Sequence, residues 1–295
     1  MQNLYNLYNL KQASTEKLAS FFSDSDSLFK GFEYAFNNQK LFEDTKNKNN
    51  ILSKLKEEET SFSGINAKEL IENGYGKNID WKLFNSEKEK LNNFSAKLKE
   101  NLQPISNQRK RKFSEHDGEY SFDRRDEIEP FQANYKIKSG LLPSLIVNVD
   151  FNFSAYQKAE AISQFGAFCF AVISKIEESG VNCEVNFVQS VSAFAETKIF
   201  KGKVTRFTVN IKQSGSYVEE SIIARCFTSG FYRRACFLFW CICAEKNKSK
   251  ACDGLGYYQK MPTESQHGEL NLSFENRLDA PEKTAERILK TLKGN

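Results

Sequence analysis

The chain has 295 residues, 40% of them hydrophobic, and a formal net charge of +4. That length suits one large domain or two small ones with a sizeable core, and the charge is too small to argue nucleic-acid binding by itself. Seven cysteines with no CxxC pair exclude a disulfide scaffold and a standard zinc knuckle, because Cys241, Cys243 and Cys252 have the wrong spacing.

Residues 1–104 are polar, rich in Lys, Glu and Asn, and helical in pattern. Leu18, Phe21 and Phe22, then Phe29 and Phe32, predict short amphipathic helices. The serines and aspartates at 23–27 read as a break with capping residues. Residues 37–59 are highly charged and read as a long exposed helix or a partly disordered stretch. Residues 66–74 predict a helix with an Asn cap and a Gly stop. A further helix is expected over 86–102, ending near Pro104.

Residues 105–138 read as a linker between the helical part and an α/β part. The run Arg109, Lys110, Arg111, Lys112 leads to Glu115, His116, Asp117, Gly118 and Glu119. Asp117-Gly118 is a turn signal, and strands over 111–114 and 119–122 would make the segment a hairpin. The basic run could contact phosphates, with Phe113, Tyr120 and Phe122 as interleaved aromatics of the kind single-strand binders use. Acidic residues are equally interleaved, so a solvated or partner-binding surface competes with that reading.

From 139 onward the pattern is α/β. A strand is predicted over 144–149, a helix over 155–179 with Gly180 as its stop, and strands over 182–191 and 204–213. A long helix follows over 218–245, with Gly230 a candidate break, then a strand over 269–274 and a last helix after Pro281. The fold class is α/β: a helical N-terminal region plus a mostly parallel sheet flanked by helices. The strands at 182–191 and 204–213 have no helical pattern between them, so they are expected to pair antiparallel at one edge.

The N-terminus lacks a basic segment followed by an apolar one, so no signal peptide is expected. The longest apolar run, 235–244, is half of the roughly 20 residues a membrane span needs. The expectation is a soluble cytoplasmic protein with reduced core thiols and no membrane partner.

Asp150, Asn152 and Ser154 alternate just past the first α/β strand, where open α/β sheets bind ligands. Their oxygens suit a hard divalent cation such as Mg²⁺; equally, they suit a helix cap and a shaped loop. Asp117 and Glu119, with Asp150, would be the carboxylates of a metal-dependent hydrolase. Two histidines leave little room for a Ser-His-Asp triad, and no phosphate-binding loop is present, so no nucleotide cofactor is expected. Arg233 and Arg234 lie inside an apolar helix and are expected to pair with carboxylates, Asp117 and Glu119 being the candidates.

The α/β part resembles a von Willebrand factor A-type fold. That family runs strand, metal-site loop, long helix, strand, strand, with Asp-x-Ser-x-Ser after the first strand; here Asp150 and Ser154 match and Asn152 replaces the first Ser. The resemblance implies a Mg²⁺ site degraded rather than erased. Its Thr ligand has no counterpart around residues 214–216, and Asp253-Gly254 lacks a strand before it. Most of the chain also resembles uncharacterised bacteriophage and prophage proteins. The shared features are a Gly-centred motif like 69–76, a basic strand into an acidic turn like 111–119, an Arg-Arg aromatic helix like 231–237 and a Gly-rich loop like 254–257. These resemblances imply a phage-derived, non-enzymatic interaction or assembly adaptor in the host cytoplasm, with a protein partner. The alternative is a nucleic-acid-binding protein of phage replication or transcription.

Overall fold

The computed structural model describes residues 1–14, 18–56, 63–73, 79–92, 144–154, 156–192, 204–216, 220–246, 257–258, 268–274, 283, 286–288 and 290–291. The 105–138 linker, with Arg109, Lys110, Arg111, Lys112, Asp117 and Glu119, lies outside the described residues, as does Asp253.

The β-branched and apolar runs of the α/β part form strands at nearly the predicted places. These are β3 (Ser144–Asp150), β4 (Asn182–Ser192), β5 (Val204–Lys212) and β7 (Glu269–Leu272), with a two-residue β6 (Tyr257–Tyr258). Helix α6 (Ala159–Glu178) follows β3 and ends at Ser179 and Gly180, whose φ of +90° suits glycine. It is long and apolar enough to cross a membrane, but 67% of that stretch is buried inside the protein, as in a core helix. The predicted helix over 218–245 is divided into α7 (Glu220–Cys226), a π-helical segment (Phe231–Cys236) and α8 (Phe237–Lys246).

The N-terminal region is not wholly helical. Residues Lys11–Ser14 and Leu18–Asp24 are strands β1 and β2. Phe21 and Phe22 therefore point to opposite faces of a sheet: Phe21 is fully buried and Phe22 is among the exposed hydrophobics. The remaining segments are α1 (Gln2–Leu7), α2 (Ser25–Asn37), a 3₁₀ turn (Gln39–Phe42), α3 (Lys48–Leu55), α4 (Ala67–Asn73) and α5 (Trp81–Lys90). Asp24 caps α2 by accepting from Ser27 N at 2.8 Å. Asn66 and Glu69 form a reciprocal capping pair at α4. Asp80 caps α5, which therefore starts earlier than the sequence pattern suggested.

The sheet runs β1-β2-β5-β4-β3-β7, with β6 added on β4. It is mixed, not mostly parallel. β2–β5, β3–β4 and β3–β7 are parallel, while β1–β2, β4–β5 and β4–β6 are antiparallel. The β4–β5 pair is antiparallel as expected, but it lies in the middle of the sheet and not at an edge, because β1 and β2 continue the sheet beyond β5. The parallel β2–β5 pair means that the N-terminal strands extend the sheet of the α/β part.

Alternation divides the sheet into two unlike faces. One carries Phe21, Leu145, Val147, Val149, Cys183, Val185, Phe187, Phe207, Val209, Leu270 and Leu272, all buried. The described aromatic contacts between helices and sheet lie on this face. Phe187 meets Phe227 and Phe231, Phe207 meets Phe239 and Trp240, and Phe151, just past β3, meets Phe165 of α6. A second layer adds α5, whose Phe84 lies 5.1 Å from Phe170 of α6. The other face is crossed by a row of asparagines, Asn271, Asn148, Asn186 and Asn210, aligned in register over β7, β3, β4 and β5. Asn148 donates to Asn271 and Asn210 to Asn186. This face thus offers amides instead of an apolar stripe.

Candidate functional site

The carboxyl end of β3 is held by β4 and by the π-helical segment. Phe151 N continues the ladder, donating to Val188 O at 3.1 Å. Asp150 then turns the chain: its Oδ1 accepts from the backbone N of Asn152 at 3.0 Å and from the Asn152 amide, an Asx turn. Asn152 Oδ1 in turn accepts from Ser190 N of β4 at 3.2 Å. Ser154 Oγ accepts from Tyr156 N at 3.3 Å, and Ser154 O accepts from Gln157 N at 3.0 Å. Asp150 and Asn152 are thus joined to each other and to β4, while Ser154 bonds further along the chain, to Tyr156 and Gln157.

The π-helical segment supplies the rest. Its wider turn aims successive side chains in different directions. Tyr232 is buried under the loop, and its hydroxyl accepts from Phe153 N at 3.3 Å and from Gln189 Nε2 of β4 at 3.0 Å. Burial pushes its hydroxyl well above the usual tyrosine range, so it stays protonated at neutral pH. Arg233 donates to Gln157 O at the far end of the loop. Phe151, Phe153, Phe165, Tyr232 and Phe274 pack as a ring cluster with centroids 5.3–5.8 Å apart.

Arg234 points away, towards the N-terminal region. Its Nε donates to Ser63 Oγ and Ile65 O, and its Nη1 to Lys54 O and Lys56 O. The described partners of the two arginines are carbonyls and a hydroxyl; the carboxylates expected for them, Asp117 and Glu119, lie outside the described residues. Lys54, Lys56, Ser63 and Ile65 are tied to the π-helix by a guanidinium that satisfies several acceptors at once.

On top of this platform stands Tyr156, 97% exposed. Sequence reasoning passed over Tyr156, Tyr232 and Gln189. Tyr232 and Gln189 sit inside apolar runs and carry no local signature; Tyr156 lies two residues past Ser154 and was readable as an aromatic on the loop.

A cation at this loop fits poorly. Asp150 Oδ1, Asn152 Oδ1 and Ser154 Oγ each accept amide hydrogens, and Mg²⁺ needs a near-octahedral oxygen set. Among the described residues no group of three or more His, Cys, Asp and Glu could hold a metal. The six described cysteines are buried, and desolvation raises the thiol pKa of Cys169, Cys183, Cys226, Cys236 and Cys243. That makes them inert core groups rather than nucleophiles.

A mixed α/β sheet with a braced loop at the carboxyl end of β3, the strand next to the β7 edge, is the class these features define. A family model described as a domain of unknown function, DUF7192, matches residues 138–295, and the chain belongs to that family. No curated protein and no solved structure matches. The matched span starts ahead of β3 and includes the whole candidate site; β1 and β2, which extend its sheet, lie outside it.

Proposed function

We propose that the protein is a non-enzymatic interaction or assembly adaptor whose contact point is the 151–158 loop. The observation that carries this reading is Tyr156, fully exposed on a loop that buried groups hold in place. An aromatic presented on a rigid support loses little entropy on binding and supplies a large contact area. The polar groups around it are engaged in holding the loop rather than arranged as acid, base or nucleophile.

The von Willebrand A-like reading is part of this proposal. The succession β3, loop, α6, β4, β5 supports it, and the cation that such a loop would carry is not required. A phage or prophage setting and a cytoplasmic location belong to the same proposal, the former resting on the order of motifs alone.

The test compares complexes recovered from the source cell by size-exclusion chromatography for wild type, Tyr156→Ala and Leu41→Ala. Leu41 is also exposed but lies in the 3₁₀ turn. Wild type and Leu41→Ala should elute in one larger species, and Tyr156→Ala alone. A Tyr156→Ala protein that keeps the larger species overturns the proposal.

A further inference from the structure

A turn of the N-terminal region is wedged against the candidate loop. Gly64 takes a φ of +77°, and a Cβ built on it would lie 3.1 Å from Ala159 Cβ and 3.3 Å from Ser229 Oγ. Ala159 opens α6, directly after the loop. Ser229 stands just ahead of the π-helical segment, and its Oγ donates to Ser63 O. Ser63 is buried; its Oγ donates to Ile65 O and accepts from Arg234 Nε at 2.9 Å. The Ile65 side chain comes so close to Gly230 that a Cβ there would lie 2.2 Å from it. Ser63, Gly64 and Ile65 thus touch both the helix into which the loop leads and the π-helical segment that braces it.

We propose that Ser63, Gly64 and Ile65 are a strap that keeps the loop ordered, so that the N-terminal region regulates how Tyr156 is presented. The proposal rests on the interaction reading above and adds the regulation of that site. The loop's own bonds are weak: Tyr156 N to Ser154 Oγ and Phe153 N to the Tyr232 hydroxyl are both 3.3 Å long, and Tyr156 and Lys158 are exposed. Segments with few buried contacts and exposed bonds open locally, at far lower cost than the whole fold. The strap acts on the loop at two points. Gly64 abuts Ala159, and Arg234, which grips Ser63 and Ile65, is next in the chain to Arg233, which donates to Gln157 O. Release of the strap removes the first support and loosens the backbone that carries the second. The linkage is reciprocal: a partner that binds the ordered loop also favours the closed strap. The strap lies ahead of the family span, residues 138–295, so the regulation comes from outside it.

Hydrogen exchange of the full chain, read amide by amide by NMR, tests this without a partner. The reporters are Phe153 N and Gln157 N in the loop, and the reference is Phe151 N, bonded to Val188 O of the sheet. Ser63→Ala removes the hydroxyl between Arg234 and Ile65, and Gly64→Ala puts a Cβ against Ala159 at a positive φ. Each should speed exchange at Phe153 and Gln157 about tenfold, the loss of one hydrogen bond to a charged group or the cost of one left-handed residue, with Phe151 unchanged. Asp80→Ala, which removes the cap of α5 at a similar cost to the fold, should leave all three amides as they are. Unchanged loop exchange in either strap variant overturns the inference. So does acceleration that extends equally to Phe151, or that Asp80→Ala reproduces. Failure here leaves the Tyr156 experiment unaffected. If Tyr156→Ala keeps its complex while Ser63→Ala still frees the loop, the interaction reading fails and the strap stands.

Discussion

Replacing Tyr232 with Phe removes one oxygen and little else. The ring stays packed against Phe151, Phe153 and Phe237, at centroid distances of 5.4, 5.3 and 4.9 Å. What is lost is the acceptor for Gln189 Nε2 and Phe153 N. Leaving a buried donor unpaired costs about 1–3 kcal/mol. The Phe153 bond is long and Gln189 can partly reorient, so the expected destabilisation is about 2 kcal/mol, at the low end for two donors. For a chain of 295 residues, an unfolding entropy of about 2.1 cal/mol/K per residue converts this to a Tm lowered by about 3 °C. The assay is urea denaturation followed by circular dichroism, with a thermal melt beside it. The midpoint should fall with the m-value unchanged, and amide exchange at Phe153 should quicken. A Tm within about 0.5 °C of wild type, with Phe153 still protected, would refute the idea that Tyr232 holds the loop.

Arg234→Lys should cost about 2–3 kcal/mol in urea denaturation, because a single ammonium cannot reach Ser63 Oγ and the carbonyls of Lys54, Lys56 and Ile65 together. Gly166→Ala should be far more damaging than Gly230→Ala. A Cβ at 166 would lie 1.9 Å from the backbone oxygen of Phe227, whereas at 230 it would meet the Ile65 side chain, which can move. Soluble expression and Tm of the two variants check that order. Burial pushes the Cys226 thiol from an ordinary 9.0 up to about 12. The folded state then holds a proton that the unfolded state releases, so this contribution is intact below pH 9 and is lost as pH rises from about 9 to 12. Denaturation midpoints measured across that range should fall, and should fall less steeply in Cys226→Ala.

The strands at β3, β4 and β5 were legible because β-branched runs bounded by turn residues mark them locally. The antiparallel β4–β5 pair was legible because no helical pattern lies between those strands. β2 was not: Phe21 and Phe22 with Phe29 and Phe32 mimic helical spacing, and the strand exists because β5 offers it an edge to pair with. The sheet is mixed already within the α/β part, through the antiparallel β4–β5 and β4–β6 pairs, and β1–β2 adds a further antiparallel pair. Asp150, Asn152 and Ser154 were found by their alternation past a strand end. Tyr232 and Gln189 were not, since each acquires its role from a neighbour across the π-helix–sheet contact. The backbone carbonyls that accept from Arg234 were not legible either, since sequence does not mark a carbonyl as the partner of a buried charge.

The measurement that bears most directly on the interaction reading is site-specific photo-crosslinking in the source cell, with the crosslinker placed at residue 156 and, separately, at residue 41. The account predicts one discrete protein adduct from position 156 and none from position 41. No adduct at 156, or the same adducts from both positions, would contradict it.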